Sequence, residues 1–119
     1  MQTSFYSERG TRAYTLTLGD TTAFSAAFDF SPFAGAVLVV PSGATGNLEL
    51  QLQVGGSWYY ALKSDGSRYN IDLSSVAGNA ITLPADMFPL STVRLALTDG
   101  AGTAQAGATS YTMYLVLKT

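Results

Sequence analysis

The run Asn47–Val54 alternates strictly, with Leu48, Leu50, Leu52 and Val54 at one phase and Glu49, Gln51 and Gln53 at the other. A period of two sends successive side chains to opposite faces of an extended strand, whereas an amphipathic helix needs a period of 3.6. The run therefore predicts a β-strand with one buried face. Tyr111–Lys118 repeats the pattern through Tyr111, Met113, Leu115 and Leu117.

Other segments read the same way between turn residues. Tyr14, Leu16 and Leu18 share a face ahead of Gly19-Asp20, and Phe24, Ala26, Phe28 and Phe30 form an expected inward set ended by Ser31-Pro32. Ala36–Val40 is apolar on both faces, as expected of a central strand, and Pro41-Ser42-Gly43 stops it. Tyr69, Ile71 and Leu73 follow a turn at Asp65-Gly66, Ala80–Leu83 follows Gly78-Asn79, and Pro84–Ser91 reads as a connector. Val93, Leu95 and Leu97 are expected to pair with Tyr111–Leu117 across the small-residue loop Asp99–Ser110. Only Ser74–Ala77 and Pro84–Phe88 have room for a helical turn. The sum is an all-β, single-domain β-sandwich of eight or nine antiparallel strands. Longer connectors near Pro32, Ala44 and Asp86 favour crossovers of the jelly-roll kind over a meander. Residues 1–12 lack a clean period and read as an N-terminal arm ordered on a partner, leaving 13–119 as the sandwich.

The hairpin at Gly55-Gly56 decides where the only tryptophan points. A two-residue turn pairs Leu52 with Tyr59 and leaves Trp58 and Tyr60 opposite the leucines. A three-residue loop, Gly55–Ser57, pairs Val54 with Trp58, Leu52 with Tyr60 and Leu50 with Leu62, gathering every large apolar group on one side. Burial of a large side chain is worth about 1.5–3 kcal/mol, so the three-residue register is expected, with Tyr59 outside beside Gln51 and Gln53.

Most catalytic chemistry is closed to this chain. It has no His and no Cys among its 119 residues, which removes the usual acid–base group at neutral pH, the thiolate nucleophile and the soft metal ligands. Asp20, Asp65 and Asp99 adjoin turn glycines, where the carboxylate bonds its own backbone, and Glu49 and Asp29 point outward from their strands. No pair of carboxylates is placed to work together. Asp65–Asp72 lacks the ligand spacing of a calcium loop, and no glycine cluster is followed by the Lys-Ser/Thr of a phosphate loop. No catalytic residue, cofactor or metal is expected, and the chain is not read as an enzyme.

Partners are bounded by charge and hydropathy. A net charge of −2 argues against a grip on nucleic acid. The longest apolar stretch, Phe33–Val40, is far short of a membrane helix, and Met1–Leu18, with Glu8, Arg9 and Arg12, lacks a secretory core. A soluble protein made in a reducing cytoplasm is expected. Only 12% of residues are charged, about half the usual share, so Thr15, Thr17, Ser25, Gln51, Gln53, Thr98 and Thr112 are left to cover the outside. Sheets normally guard their edges with Lys, Pro or bulges, and a sheet that omits these guards is suited to assembly.

Several short elements occur in an order that resembles small all-β virion proteins of tailed bacteriophages. These are Phe33-Ala34-Gly35 leading into a strand ended by Pro41, Leu48–Val54, Gly56-Ser57-Trp58-Tyr59, Ser64-Asp65-Gly66, Phe88-Pro89, Val93-Arg94-Leu95 and Gly102-Thr103-Ala104-Gln105. The resemblance runs from Phe28 onward. It implies a jelly-roll-like sandwich on the capsid surface or between capsomers, a decoration or cement protein of the virion made in the host cytoplasm. Its partners would be the major capsid protein and neighbouring copies of itself, with a trimer at lattice symmetry points. Within the arm, Phe5, Tyr6, Arg9 and Arg12 are the expected partner contacts. The competing class is a carbohydrate-binding module, or a tail or neck accessory protein with a glycan-binding face, using Trp58, Tyr59, Tyr60 and Tyr69. That reading needs the two-residue hairpin turn.

Overall fold

The computed structural model describes residues 12–19, 22–30, 33–84, 91–105 and 109–118. Nine strands follow in chain order: β1 (Arg12–Gly19), β2 (Phe28–Asp29), β3 (Gly35–Val39), β4 (Asn47–Val54), β5 (Ser57–Tyr60), β6 (Asn70–Asp72), β7 (Ala80–Thr82), β8 (Thr92–Thr98) and β9 (Ser110–Lys118). A single helical turn, α1 (Leu73–Val76), separates β6 from β7. Asp72 caps it, its Oδ1 accepting from Ser74 N at 3.1 Å and Ser74 Oγ at 2.8 Å.

The strands form two antiparallel sheets, β1-β9-β3-β7 and β2-β8-β4-β5, with β6 also on β4. β5 pairs with Gln51–Val54 and β6 with Asn47–Glu49, so the two lie end to end along one edge of β4. Counted as halves of one strand, they leave eight strands whose chain passes between the sheets at every connection except β4 to β5, in the strand order of a jelly roll. The core between the sheets is built from the phases the sequence alternation sets. Leu16, Leu18, Leu38, Met113, Leu115 and Leu117 face in from one sheet, and Leu48, Leu50, Val93, Leu95 and Leu97 from the other, all buried. Phe28, Phe30, Tyr69, Leu73 and Leu83 close the sides.

Three expectations are corrected. β8 and β9 do not pair with each other: β8 lies between β2 and β4, and β9 between β1 and β3. The loop between them crosses from one sheet to the other, since two strands that each alternate cleanly can fill facing layers as well as adjacent places. β3 is a central strand as expected, but only its inner face is covered, with Leu38 fully buried and Val39 exposed.

The second correction concerns the set Phe24, Ala26, Phe28 and Phe30. Phe24 bridges Ala96, whereas Phe28 pairs with Val93, so four steps along this segment match three along β8. One extra residue makes a bulge, which reverses the phase and puts Phe24 on the outer face while Phe28 and Phe30 stay in the core. Ser25 holds the bulge in place. Its N donates to Leu95 O at 2.9 Å and its Oγ accepts from Leu95 N at 3.0 Å.

The third is the register at Gly55-Gly56, which is the two-residue turn. Gln53 pairs with Trp58, Leu52 with Tyr59 and Gln51 with Tyr60. Both glycines have positive φ, 59° and 83°, the backbone that a tight hairpin of this hand requires and that other residues resist. The burial argument for the longer loop fails because the facing sheet does not reach the hairpin. Val54 and Tyr59, on the leucine side, are 56% and 58% exposed, so moving Trp58 there would bury little.

Ser25→Ala deprives the buried Leu95 amide of its acceptor without changing core volume. A loss of about 1–3 kcal/mol is expected from urea unfolding at unchanged m-value.

Candidate functional site

The outer face of the β2-β8-β4-β5 sheet collects the polar and aromatic side chains that the core rejects. β4 presents Glu49, Gln51 and Gln53, β8 presents Arg94 and Ala96, and β5 presents Trp58 and Tyr60. The bulge adds Phe24. Arg68 arrives from the segment between β5 and β6, which folds into a small hairpin closed by Lys63 N to Ser67 O at 2.8 Å and a Leu62–Arg68 bridge. Asp65 builds that turn, accepting from Ser67 N and Oγ at 2.9 and 2.6 Å, and these bonds hold its carboxyl below the usual range.

Glu49 points outward, as its phase requires, yet it is 2% exposed. Arg68 Nε donates to Oε1 in an ion pair, and Oε2 accepts from Thr98 Oγ1 at 2.6 Å and Gly102 N at 2.9 Å. The loop after β8 folds back to make this possible. Asp99 Oδ1 accepts from Ala101 N and Thr103 N, and these bonds lower its pKa. Gly102 sits at φ +90°, where a Cβ would collide with the Arg68 guanidinium. With three donors the buried carboxylate is satisfied, and the arrangement is a structural clamp closing one end of the face.

Arg94 occupies the middle. Its guanidinium carbon lies 3.9 Å from the Phe24 ring centroid and 4.3 Å from that of Trp58, and its Nε donates to Gln51 Oε1 at 2.7 Å. Burial lowers its pKa from the ordinary guanidinium value. Arg68 lies 5.2 Å from the Tyr60 ring centroid, and Tyr60 is raised by burial first and by the Glu49 carboxylate second. Phe24, Arg94, Trp58, Tyr60 and Arg68 thus form a continuous layer of rings and guanidinium groups.

The expected glycan residues are divided by this geometry. Trp58 and Tyr60 share the outer face, Tyr59 points to the opposite side, away from Gln51 and Gln53, and Tyr69 is a core residue with the Lys63 ammonium 5.7 Å from its ring centroid. Ser25, Gln51 and Thr98, expected as surface cover, are buried by the bulge, by Arg94 and by the Glu49 clamp. Of the expected partner contacts, Arg12 opens β1 as an exposed strand residue and is not part of an arm, while Phe5, Tyr6 and Arg9 lie outside the described residues. Sequence reasoning missed Phe24, Arg68 and Arg94. For Arg94 a signal existed, since it faces Gln51 wherever β8 pairs with β4; Phe24 depended on the bulge, which has no such signature.

Among the described residues no group of three or more acidic side chains could hold a metal, and no helix is long and apolar enough to cross a membrane. Comparison with family models, curated proteins and solved structures finds no match to the chain.

Replacing Glu49 by Ala strands the buried Thr98 hydroxyl, the Gly102 amide and the Arg68 charge together. Chemical denaturation is expected to show a loss of about 3 kcal/mol, with a smaller loss for Glu49→Gln, which keeps an acceptor.

Proposed function

We propose that this protein is a non-enzymatic structural component of a phage virion, binding the capsid surface or inter-capsomer sites as a decoration protein. The observation that carries the reading is the outer face of the β1-β9-β3-β7 sheet. Register places Thr15, Tyr114, Val39 and Ala80 in one row across all four strands, and Ala13, Val116, Val37 and Thr82 in the next. Thr17 and Thr112 extend it on one side, and the first charge met is Lys118, beside Gly35 at the other end. Tyr114 is 51% exposed and Val39 37%. The edge strand β1 carries no charge after Arg12. Apart from Lys118 and Arg12 at one end, this face and edge lack the usual charged guards against association.

The size of the patch favours a lattice partner over a lone one. Strand spacing and rise give it roughly 19 by 17 Å, about 300 Å², well under the roughly 800 Å² per partner of a stable one-to-one complex. A weak contact of this kind becomes effective when a shell repeats it and neighbouring copies add to it.

Purified protein is expected to co-sediment saturably, at a fixed ratio to the capsid protein, with capsids lacking it. Val39→Glu combined with Tyr114→Lys is expected to keep the melting temperature within a few degrees and to abolish that binding. Full occupancy by this variant would refute the docking face, and no binding by the native chain would refute the decoration reading.

A second reading, saccharide binding, is favoured by one observation: the two-residue turn puts Trp58 and Tyr60 on the outer face, where a pyranose can stack. This reading corresponds to a carbohydrate-binding module or to a tail or neck accessory protein with an aromatic glycan-binding face. Oligosaccharides are then expected to change the emission of Trp58, and Tyr60→Ala to weaken that response by about 1 kcal/mol or more.

A further inference from the structure

We propose that Arg94 is a preorganised carboxylate receptor and that the face around it takes an acidic saccharide, one bearing a uronic or sialic acid. The inference rests on the saccharide reading of the Trp58–Tyr60 face.

The two arginines of this face are differently employed. Arg68 has a carboxylate partner in Glu49. Among the described residues no carboxylate pairs with Arg94, whose neighbours are the Phe24 ring, the Trp58 ring and the neutral amide of Gln51. A guanidinium keeps its proton at any working pH, so this is a permanent cation in a partly desolvated place. Ring faces offset part of the desolvation, but they supply no counter-ion.

Its geometry specifies the ligand. The Phe24 and Trp58 ring centroids lie within 4.3 Å of the guanidinium carbon and Gln51 accepts from Nε, leaving the edge formed by the two terminal nitrogens, which meets no acceptor among the described residues. That edge presents two parallel N–H donors, the pair that a carboxylate accepts in bidentate fashion. The side chain is held by two rings and one amide, so little rotamer entropy remains to be lost when an anion docks. Among the described residues Arg94 is the one cation of this face without a carboxylate partner, which suits one carboxylate on an otherwise neutral molecule. A nucleic acid or other polyanion requires an array of cations, whereas Arg68, the other arginine of this face, is paired with Glu49. Trp58 and Tyr60 offer rings for the apolar face of a sugar, and the Gln53 amide offers both a donor and an acceptor for its hydroxyls. Carboxylate and pyranose are therefore recognised by adjacent groups of one surface.

The unmodified protein tests this directly, because Trp58 is its only tryptophan and lies against Arg94. Its emission is followed during titration with trigalacturonate and sialyllactose, with cellotriose and lactose as neutral counterparts and inorganic phosphate as a competitor. At least one acidic sugar is expected to bind about tenfold or more tighter than its neutral counterpart, as a charge-assisted pair implies, and to weaken with added salt. Arg94→Gln is expected to reduce that affinity to the neutral level, and Arg94→Lys, which keeps the charge and loses the fork, to restore only part of it. Equal binding of acidic and neutral sugars, unaffected by Arg94→Gln, overturns the inference and leaves the saccharide reading standing. No response to any sugar overturns both. Displacement of the acidic sugar by phosphate at equal concentration overturns the saccharide assignment of the cation.

Discussion

The core and the outer face of the β2-β8-β4-β5 sheet depend on the phase of β4. Leu48 and Leu50 at one phase meet the facing sheet, and Glu49, Gln51 and Gln53 at the other organise the outer layer. A slip of one residue would send leucines to water and a carboxylate into hydrocarbon, which makes the register among the most strongly determined features of the fold. Every neighbour of β4 then inherits its place: Arg94 opposite Gln51, Tyr60 on the other side of Gln51, and Trp58 opposite Gln53. The ring and guanidinium layer is a consequence of that single strand reading correctly against two partners.

A buried carboxylate on the solvent side of a sheet is an unusual expense, and its position explains why it is tolerated. Glu49 ties together the hairpin carrying Arg68, the end of β8 at Thr98 and the turn at Gly102. An ion pair in such a place adds little to stability compared with an apolar pair, but it selects one arrangement of loops. The Phe24 bulge works similarly at the other side of the face, with Ser25 Oγ supplying the acceptor that the displaced backbone no longer offers. Outer-face order is thus obtained through a few polar contacts that each admit one geometry.

The sequence was legible where burial and period agree. The strands β1, β4, β8 and β9 and their inner residues follow from alternation, β3 follows from its apolar run, and the turn at Asp65-Gly66 follows from turn chemistry. Legibility ended where a single residue changes the phase or where pairing depends on the third dimension. The bulge at Ser25 moved Phe24 across the sheet, and the partners of β8 and β9 depended on which layer each strand filled. At Gly55-Gly56 two signals conflicted, and the local one prevailed because the hairpin extends past the cover on which the burial estimate relied. The candidate site was half visible: its rings Trp58 and Tyr60 were named, whereas Phe24, Arg68 and Arg94 required the folded chain.

The two surfaces are on opposite sides of the sandwich, since each is the outer face of a different sheet. The uncharged rows centred on Val39 and Tyr114 face one way, and the layer around Arg94 faces the other. Attachment through the first therefore leaves the second directed away from the support. The chemistry of each fits that proposed division: a flat patch without charge offers a partner no ion to desolvate, while a held cation with ring neighbours is suited to a small anionic group in water. On the proposed readings the uncharged rows anchor the jelly roll while the face around Arg94 presents a receptor, with no residue shared between them.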